Sequence, residues 1–301
     1  MTTHLVANPV AGAGGAAGHI DTIVAELSTH GRVERHVPDS ADDARALLGE
    51  LAADKVDRVV VAGGDGMVHL GVNAFVATDT VLGIVAVGTG NDAVKGLGLP
   101  TKTAAACAAA MAPPAPVDVI ECAADGEAAA RYAITVAIVG LAVNINERAE
   151  GMRFPKGGAK YSVATLAELP RIERHELTLT IDGVEHDVTA NLLAVANLAY
   201  FGGGMKVAPD AQAGDGSLEV VVMGPAGPLK FGALLPTVFT GHHIRSRHVT
   251  VLRGAEVRIE GAAHGAPLRM RADGEAWGAL PATLRAVPGA LRVAGAKVAP
   301  R

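Results

Sequence analysis

The segment Val59–Met67, VVVAGGDGM, runs a β-branched apolar stretch into two glycines, a carboxylate and a third glycine, then into a helical pattern. Glycines let a backbone close on a phosphate, and a helix start offers unpaired N–H groups and a partial positive charge. Asp65 in that turn could act through a Mg2+ ion. The same letters also fit a plain strand-to-helix turn with Asp65 as its cap. VLGIVAVGTGND, Val81–Asp92, repeats the design and adds a hydroxyl, an amide and a carboxylate at Thr89, Asn91 and Asp92, between and beyond Gly88 and Gly90. Late in the chain, RMRADGEAW, Arg269–Trp277, carries Asp273 and Glu275 two positions apart. In an extended segment they face the same side. A carboxylate near a substrate hydroxyl orients it and takes its proton, worth roughly 10²–10⁴-fold in rate. An exposed Asp-Gly turn is the alternative. In FGGGMKVAPDAQAGDGSL, Phe201–Leu218, the residues Lys206, Asp210 and Asp215 suit a metal loop or an ordinary one. His242, His243 and His248 lack the spacing of a zinc helix and fit a solvated loop.

These turns need strands and helices to hold them. From Thr3 to Pro100 short β-rich runs (HLVANPV, RVERHV, DRVVVA, VLGIVAV) alternate with helical patterns at Ile20–Thr29, Asp42–Leu51, Met67–Phe75 and Ala93–Leu97. That alternation predicts βαβ units and a mostly parallel sheet, with ligands beyond the carboxyl ends of the strands. The glycines fall there: Gly12 to Gly18, Gly63 to Gly66 and Gly88 to Gly90. Thr101–Met111 reads as a further helix, stopped by APPAP. Beyond it come short β-like segments with a DG hairpin signal at Asp182-Gly183 and helical insertions near Tyr161–Glu168 and Leu229–Phe239, which predicts a sandwich or barrel. The expected fold is an α/β domain with a mostly parallel sheet over 1–116, a β-sandwich-like domain over 117–288, and a segment 289–301 returning to the first domain. NPVAGAGGAAG offers a competing signal: Gly12, Gly14 and Ala17 fit G-x-G-x-x-G/A, with Glu34 about 20 residues after Gly14, the pattern of an NAD-binding oxidoreductase. In a chain this rich in Gly and Ala that match is weak, and no P-loop sequence occurs.

Composition narrows the classes. Of 301 residues, 50% are hydrophobic and 19% charged, which excludes a wholly disordered chain. A net charge of -5 and 3% aromatic residues give neither the electrostatic footprint nor the stacking platforms of a nucleic-acid binder. Cys107 and Cys122 make no disulfide framework and fit a reducing compartment. MTTHLVANP lacks the basic start and apolar core of a secretory signal, and no run reaches the ~18 apolar residues of a membrane span. A cytoplasmic protein is expected. Segment 148–174 carries six basic residues, Arg148, Arg153, Lys156, Lys160, Arg171 and Arg174, against Glu150, Glu168 and Glu173. It reads as a solvated face or as a contact with an anionic leaflet, at about 1 kcal/mol per basic group.

Taken together, NPVAG, VVVAGGDG followed by a helix with Asn73, LGIVAVGTGND followed by GLGLP, FGGGMKVAPDAQAGDGSL and the late ADGE resemble the diacylglycerol kinase catalytic-domain family of soluble bacterial lipid kinases, related to sphingosine and ceramide kinases. The resemblance implies ATP and the lipid headgroup in a cleft between the two domains. It implies that Asn8, Gly63, Gly64, Gly66, Gly88 and Thr89 line the ATP phosphates, and that Asp65, Asn91 and Asp92 belong to the same Mg2+ and phosphate network. Asp273 would be the general base, supported by Glu275, with Asp65 a second candidate. Asp215 would hold a structural Mg2+ with backbone carbonyls. The expected activity is ATP- and Mg2+-dependent phosphorylation of a lipid, with diacylglycerol the favoured acceptor. NAD kinase-like, sphingoid-base or ceramide kinase-like and non-catalytic nucleotide-binding readings are the alternatives. The expected partner is a lipid at the inner face of the membrane, touched through 148–174, with no nucleic acid; a homodimer is a further expectation. Where the family reads GGDGT with a Glu three residues later, this chain has Met67 and Leu70, which removes a hydroxyl and a carboxylate from the phosphate side. Ala86 and Lys95 replace a usual Pro and Arg.

Overall fold

The computed structural model describes residues 2–8, 16–88, 90–125, 130–154, 159–263 and 266–298. Gly12, Gly14, Thr89 and Lys156 lie outside the described residues. The chain divides into two compact units. One takes the residues up to Val119, Ala213–Asp215 and those from Val287 on; the other takes Ile120–Gln212 and Gly216–Ala286.

The first unit is an α/β layer built from β1 (Thr2–Ala7), α1 (Ala16–Ser28), β2 (Arg32–His36), α2 (Ala41–Ala53), β3 (Arg58–Gly63), α3 (Asp65–Phe75), β4 (Val81–Ala86), α4 (Asp92–Gly96) and α5 (Thr103–Met111). The strand order is β2-β1-β3-β4, all parallel. β3 is buried along its whole length, as a consecutive apolar run in a sheet covered on both faces must be. Leu5, Ala7, Val60, Ala62 and Val85 pack on one face against Ile20, Ile23 and Leu27 of α1 and Ala106, Cys107 and Ala110 of α5. Ser40 caps α2 by accepting the Asp43 N–H (3.1 Å).

The second unit contains the end of β5 (Pro114–Ala124), which starts in the first, then β6 (Arg131–Ala133), β7 (Val136–Gly140), α6 (Leu141–Gly151), α7 (Ala159–Glu168), β8 (His175–Ile181), β9 (Val184–Ala190), β10 (Leu192–Ala196), β11 (Leu218–Met223), α8 (Pro228–Val238), β12 (Val249–Gly254), β13 (Glu256–Ala263), β14 (Ala266–Pro267), β15 (Arg269–Ala272), β16 (Glu275–Ala279) and the start of β17 (Ala282–Ala294). Two sheets face each other. One runs β12-β11-β10-β7-β15-β16, and the other carries β17, β13, β8 and β9. Val139, Val195, Val220, Met270 and Trp277 of the first meet Leu179, Ile181, Ile259 and Leu284 of the second in a continuous apolar core. The outer face of the first sheet is buried as well: Ile138, Ala194 and Val221 pack under α6 and α8, with Leu141, Val143 and Phe231. That double covering explains why SLEVVVM is apolar at consecutive positions. Val293, near the end of β17, pairs in parallel with Leu82 of β4 in the first unit.

Helix α6 is absent from the sequence expectation. Gly140 ends β7 at φ +83, where an added Cβ would sit 2.6 Å from the Asn191 carbonyl oxygen, so the chain turns from strand to helix at a position only glycine fits. Of the two readings of the Asp273-Gly274 pair, the structure has the Asp-Gly turn. The pair is not extended: Asp273 (φ +52) and Gly274 (φ +87) are the two turn residues of the β15–β16 hairpin, with Ala272 opposite Glu275. Two positive-φ residues suit the right-handed twist of the flanking strands, and Asp-Gly is a favoured pair for them.

Candidate active site

In the first unit the ends of β1, β3 and β4 carry the residues expected to meet phosphate. Asn8 follows β1, its N–H donating to the Ala62 carbonyl (3.0 Å), and the Val87 N–H donates to the Gly63 carbonyl (2.9 Å). These bonds hold the strand ends level. Gly64 and Gly88 then face each other so closely that a Cβ on Gly88 would lie 2.7 Å from the Gly64 Cα and 3.0 Å from the Asn91 side-chain oxygen. Only bare backbone permits that approach. Gly64 is the N-cap of α3, which leaves the first N–H groups of that helix without a side-chain cap. Gly66, in its first turn, has open space around it.

Asn91 adopts the left-handed conformation (φ +52) that Asn tolerates better than most residues, and its amide donates to the Gly88 carbonyl (2.8 Å). Asp65 ties the two turns together. Its Oδ1 accepts the N–H groups of Asp92 (2.8 Å) and Ala93 (3.4 Å), the open N-terminus of α4. Burial, and next the neighbouring Asp92 carboxylate, push the Asp65 carboxyl above its usual range, while backbone N–H groups of Ala93, Asp92 and Asn91 pull it back. Asp92 is itself buried, and Lys95 approaches it at 3.8 Å. Two carboxylates drawn out of water beside the Asn91 amide make an all-oxygen donor set, the chemistry Mg2+ takes. Desolvation first and the Asp92 carboxylate second disfavour the ionised Asp65, and a divalent cation would relieve both. Met67, where the family has Thr, is buried and packs over Gly63, inside the core.

Gly88→Ala is expected to raise the KM for a phosphate-bearing substrate held by these turns by about 10–100-fold, since displacement of a binding group by about an ångström can cost about 10²-fold. Steady-state kinetics against nucleotide concentration, with the fold checked by circular dichroism, measures it. An unchanged KM would remove the Gly64–Gly88 contact from the site.

In the second unit Asp273 is held by the segment that opens β7. Its Oδ2 accepts the Ile134 N–H (2.9 Å), its Oδ1 accepts the Thr135 N–H (2.8 Å) and hydroxyl (2.6 Å), and its own N–H donates to the Val136 carbonyl (3.1 Å). The segment is pinned in turn by Asn197, fully buried, whose amide donates to the Ile134 carbonyl (2.9 Å). Arg271, also buried, donates through Nε to the Gly274 carbonyl (2.9 Å) and pairs with Glu150 of α6, which clamps the turn. Glu275 is exposed at the start of β16. Sequence reasoning missed Thr135, Asn197 and Arg271. Thr135 and Asp273 are 138 positions apart, and only the β15–β7 register, with Ala272 opposite Ala137, brings them together.

Beyond Thr135, β7 runs on to Ile138, which lines an apolar cavity of about 690 Å³ including its open mouth. Leu141 and Ala142 of α6, Tyr161 and Thr165 of α7, and Phe231 of α8 wall it. From Thr135 to Ile138 is three residues, roughly 10 Å along a strand. The unit exposes large apolar side chains, among them Phe154, Leu166 of α7 (69%), Leu229 of α8 (92%) and Phe239. In the basic segment Arg148 is tied to Glu168, and Lys160 lies over the Tyr161 ring. Asp215 is exposed and belongs, with Ala213 and Gly214, to the first unit. Among the described residues it joins no group of three metal-binding side chains, so a cation there would depend on backbone carbonyls.

Residues 2–122 match the diacylglycerol kinase catalytic domain, and residues 135–295 match the YegS C-terminal NAD kinase beta sandwich-like domain. A diacylglycerol kinase of Mycobacterium tuberculosis (strain ATCC 25618 / H37Rv) is 35% identical over 95% of this chain and 92% of its own length. One of Bacillus subtilis (strain 168) is 24% identical over 92% of this chain and 90% of its own. A solved diacylglycerol kinase structure from Bacillus anthracis str. Sterne superposes with a TM-score of 0.74 at 21% identity, covering 97% of this chain and 96% of that one, which shows the shared fold. The diacylglycerol kinase catalytic-domain match and the 35% identical relative place the chain in the class of lipid kinases. The chain belongs to the diacylglycerol kinase family within it.

Proposed function

We propose that the chain transfers the γ-phosphoryl group of ATP, with Mg2+, to the hydroxyl of diacylglycerol and so forms phosphatidic acid. The observation that carries this reading is that Asp273, in the β15–β16 turn, is anchored at Thr135, just before β7, whose Ile138 lines the apolar cavity. The names of the relatives favour diacylglycerol among lipid acceptors.

In this reading the N–H groups at Gly64–Gly66 and Gly88 hold the nucleotide phosphates, and Thr89 is a further candidate to meet them. Asp65, Asp92 and Asn91 would hold Mg2+, which spreads the charge of the transferred group. Asp273 orients the lipid hydroxyl and takes its proton, and Glu275 is the second carboxylate beside it. Phosphoryl transfer asks mainly for positioning and charge neutralisation, so rigid turns matter more than reactive groups. The exposed Phe154, Leu166, Leu229 and Phe239, with the basic residues of 148–174, would rest on the anionic inner face of a membrane and admit the lipid to the cavity. Among the described residues no helix is long and apolar enough to cross a membrane.

The test is incubation with labelled ATP and Mg2+ over vesicles containing diacylglycerol, monoacylglycerol, sphingosine, ceramide or phosphatidylinositol, followed by product separation. Labelled phosphatidic acid is the expected main product. Ala142→Trp, which fills the cavity, should cut turnover of long-chain diacylglycerol about tenfold or more, consistent with the ~0.8 kcal/mol of each buried CH₂ it displaces. Nucleotide binding should not change. Equal labelling of sphingosine or ceramide would overturn the choice of acceptor, and an indifferent Ala142→Trp would overturn the role of the cavity.

A further inference from the structure

We propose that His4, Glu34 and His36 form a binding site for a zinc-class transition-metal ion at the edge of the α/β sheet, separate from the nucleotide loops. β2 is the edge strand, and its parallel register with β1 sets His4 opposite Glu34 and Val6 opposite His36. Side chains alternate along a strand, so the three residues share one face. Their neighbours Leu5 and Val33 take the other face, against the α1 and α5 core. The His4 Nδ1 and His36 Nε2 atoms are 3.2 Å apart, Glu34 Oε1 lies 3.8 Å from the same Nε2, and one ligand atom from each residue falls within 4.8 Å of the others. Zinc bonded at about 2.0–2.1 Å in tetrahedral geometry keeps its ligand atoms about 3.3–3.4 Å apart, so the two nitrogens already stand at ligand spacing.

The donor set also decides the kind of ion. Two imidazoles and one carboxylate suit zinc, cobalt or nickel, whereas Mg2+ wants oxygen throughout. The His36 side chain is 21% exposed and that of Glu34 50%, which gives an ion a path from solvent and leaves a fourth position for water or an outside ligand. His4 precedes Asn8 by four residues, roughly 13 Å along a strand, so the site shares no ligand with the phosphate-binding turns. Within RVERHV the Glu34-x-His36 spacing puts two ligands on one face, but the third comes from a neighbouring strand and only the register shows it. A bound ion would tie the edge strand to β1 and stabilise the unit by mass action.

The experiment uses tag-free full chain stripped with chelator, titrated with Co2+ by visible absorption and with Zn2+ by calorimetry. One equivalent is expected to bind, with a tetrahedral-type cobalt spectrum and a thermal midpoint that rises with Zn2+ concentration. His4→Gln and His36→Gln should each weaken binding at least about tenfold, since even outer groups around such sites cost that much. Glu34→Gln, at a half-exposed position, should do the same and keeps the inference testable if a histidine variant fails to fold. No binding up to about millimolar Zn2+, or binding undiminished in Glu34→Gln and the histidine variants, overturns the site. The readouts are independent of lipid phosphorylation and of Mg2+.

Discussion

Asp273→Asn is expected to lower kcat by roughly 10²–10⁴-fold, the range that a positioned proton acceptor contributes, which corresponds to about 2.7–5.4 kcal/mol of barrier. Nucleotide affinity should stay within a factor of a few, because the residues proposed to hold ATP lie in the first unit. The substitution has a structural side. Asp273 accepts from three donors at once, the N–H groups of Ile134 and Thr135 and the Thr135 hydroxyl. An Asn that keeps its oxygen toward Thr135 turns an NH2 toward the Ile134 N–H, donor against donor, at a cost of about 1–3 kcal/mol. The thermal midpoint therefore falls, and activity must be read below the shifted transition. Thr135→Ala separates the two roles. It removes one donor of the same carboxylate and leaves the charge in place, so it should give a comparable loss of stability with only about a tenfold loss of turnover. If folded Asp273→Asn retains turnover near that of the unaltered chain, Asp273 is a brace for the hairpin, and the base lies elsewhere.

The difference between what the letters disclosed and what they hid follows from how local each feature is. VVVAGGDG and GIVAVGTGND lie within single strand-turn-helix units, so strand burial, glycine need and helix start all appear in about ten consecutive residues, and the first unit was legible nearly element by element. The second unit was legible as alternating strands and not as a site. Asp273 was conspicuous by type, and its Asp-Gly turn was one of the two conformations the letters offered; the structure has that turn, with two positive-φ residues, and not the extended strand face. Its partners Ile134 and Thr135 carry no chemical signal at all, one apolar and one a common strand residue. α6 was hidden for a related reason: only the end of LAVNINERAEG, from Arg148, falls in the basic segment 148–174, and the apolar side of the rest shows as a helix face only once Gly140 has turned the chain.

Asp65→Asn should act in opposite directions on stability and on turnover. The Asn oxygen still accepts from Asp92 and Ala93, so the cap on α4 survives. What disappears is a charge that burial and Asp92 both disfavour. A carboxyl whose value is raised on folding adds stability below its ordinary value of 3.8 and loses it as pH rises through the raised one, so at neutral pH the ionised Asp65 weighs against the fold. In buffer free of Mg2+ and nucleotide, Asp65→Asn is therefore expected to raise the thermal midpoint at pH 7–8, by an amount that shrinks toward nothing as the pH approaches 3.8. Turnover should fall about 10²–10³-fold, the usual loss when a preorganised electrostatic group leaves a transition state. Asp65→Ala is the control, since it also removes the cap and should lose about 1 kcal/mol against the Asn variant. A residue present only to close the turn would give Asp65→Asn neither effect, and a lower midpoint at pH 7 with turnover intact would show that the carboxylate serves the fold. A gain in stability coupled to a loss of turnover is the mark of negative charge held out of water for a cation and a phosphate to meet.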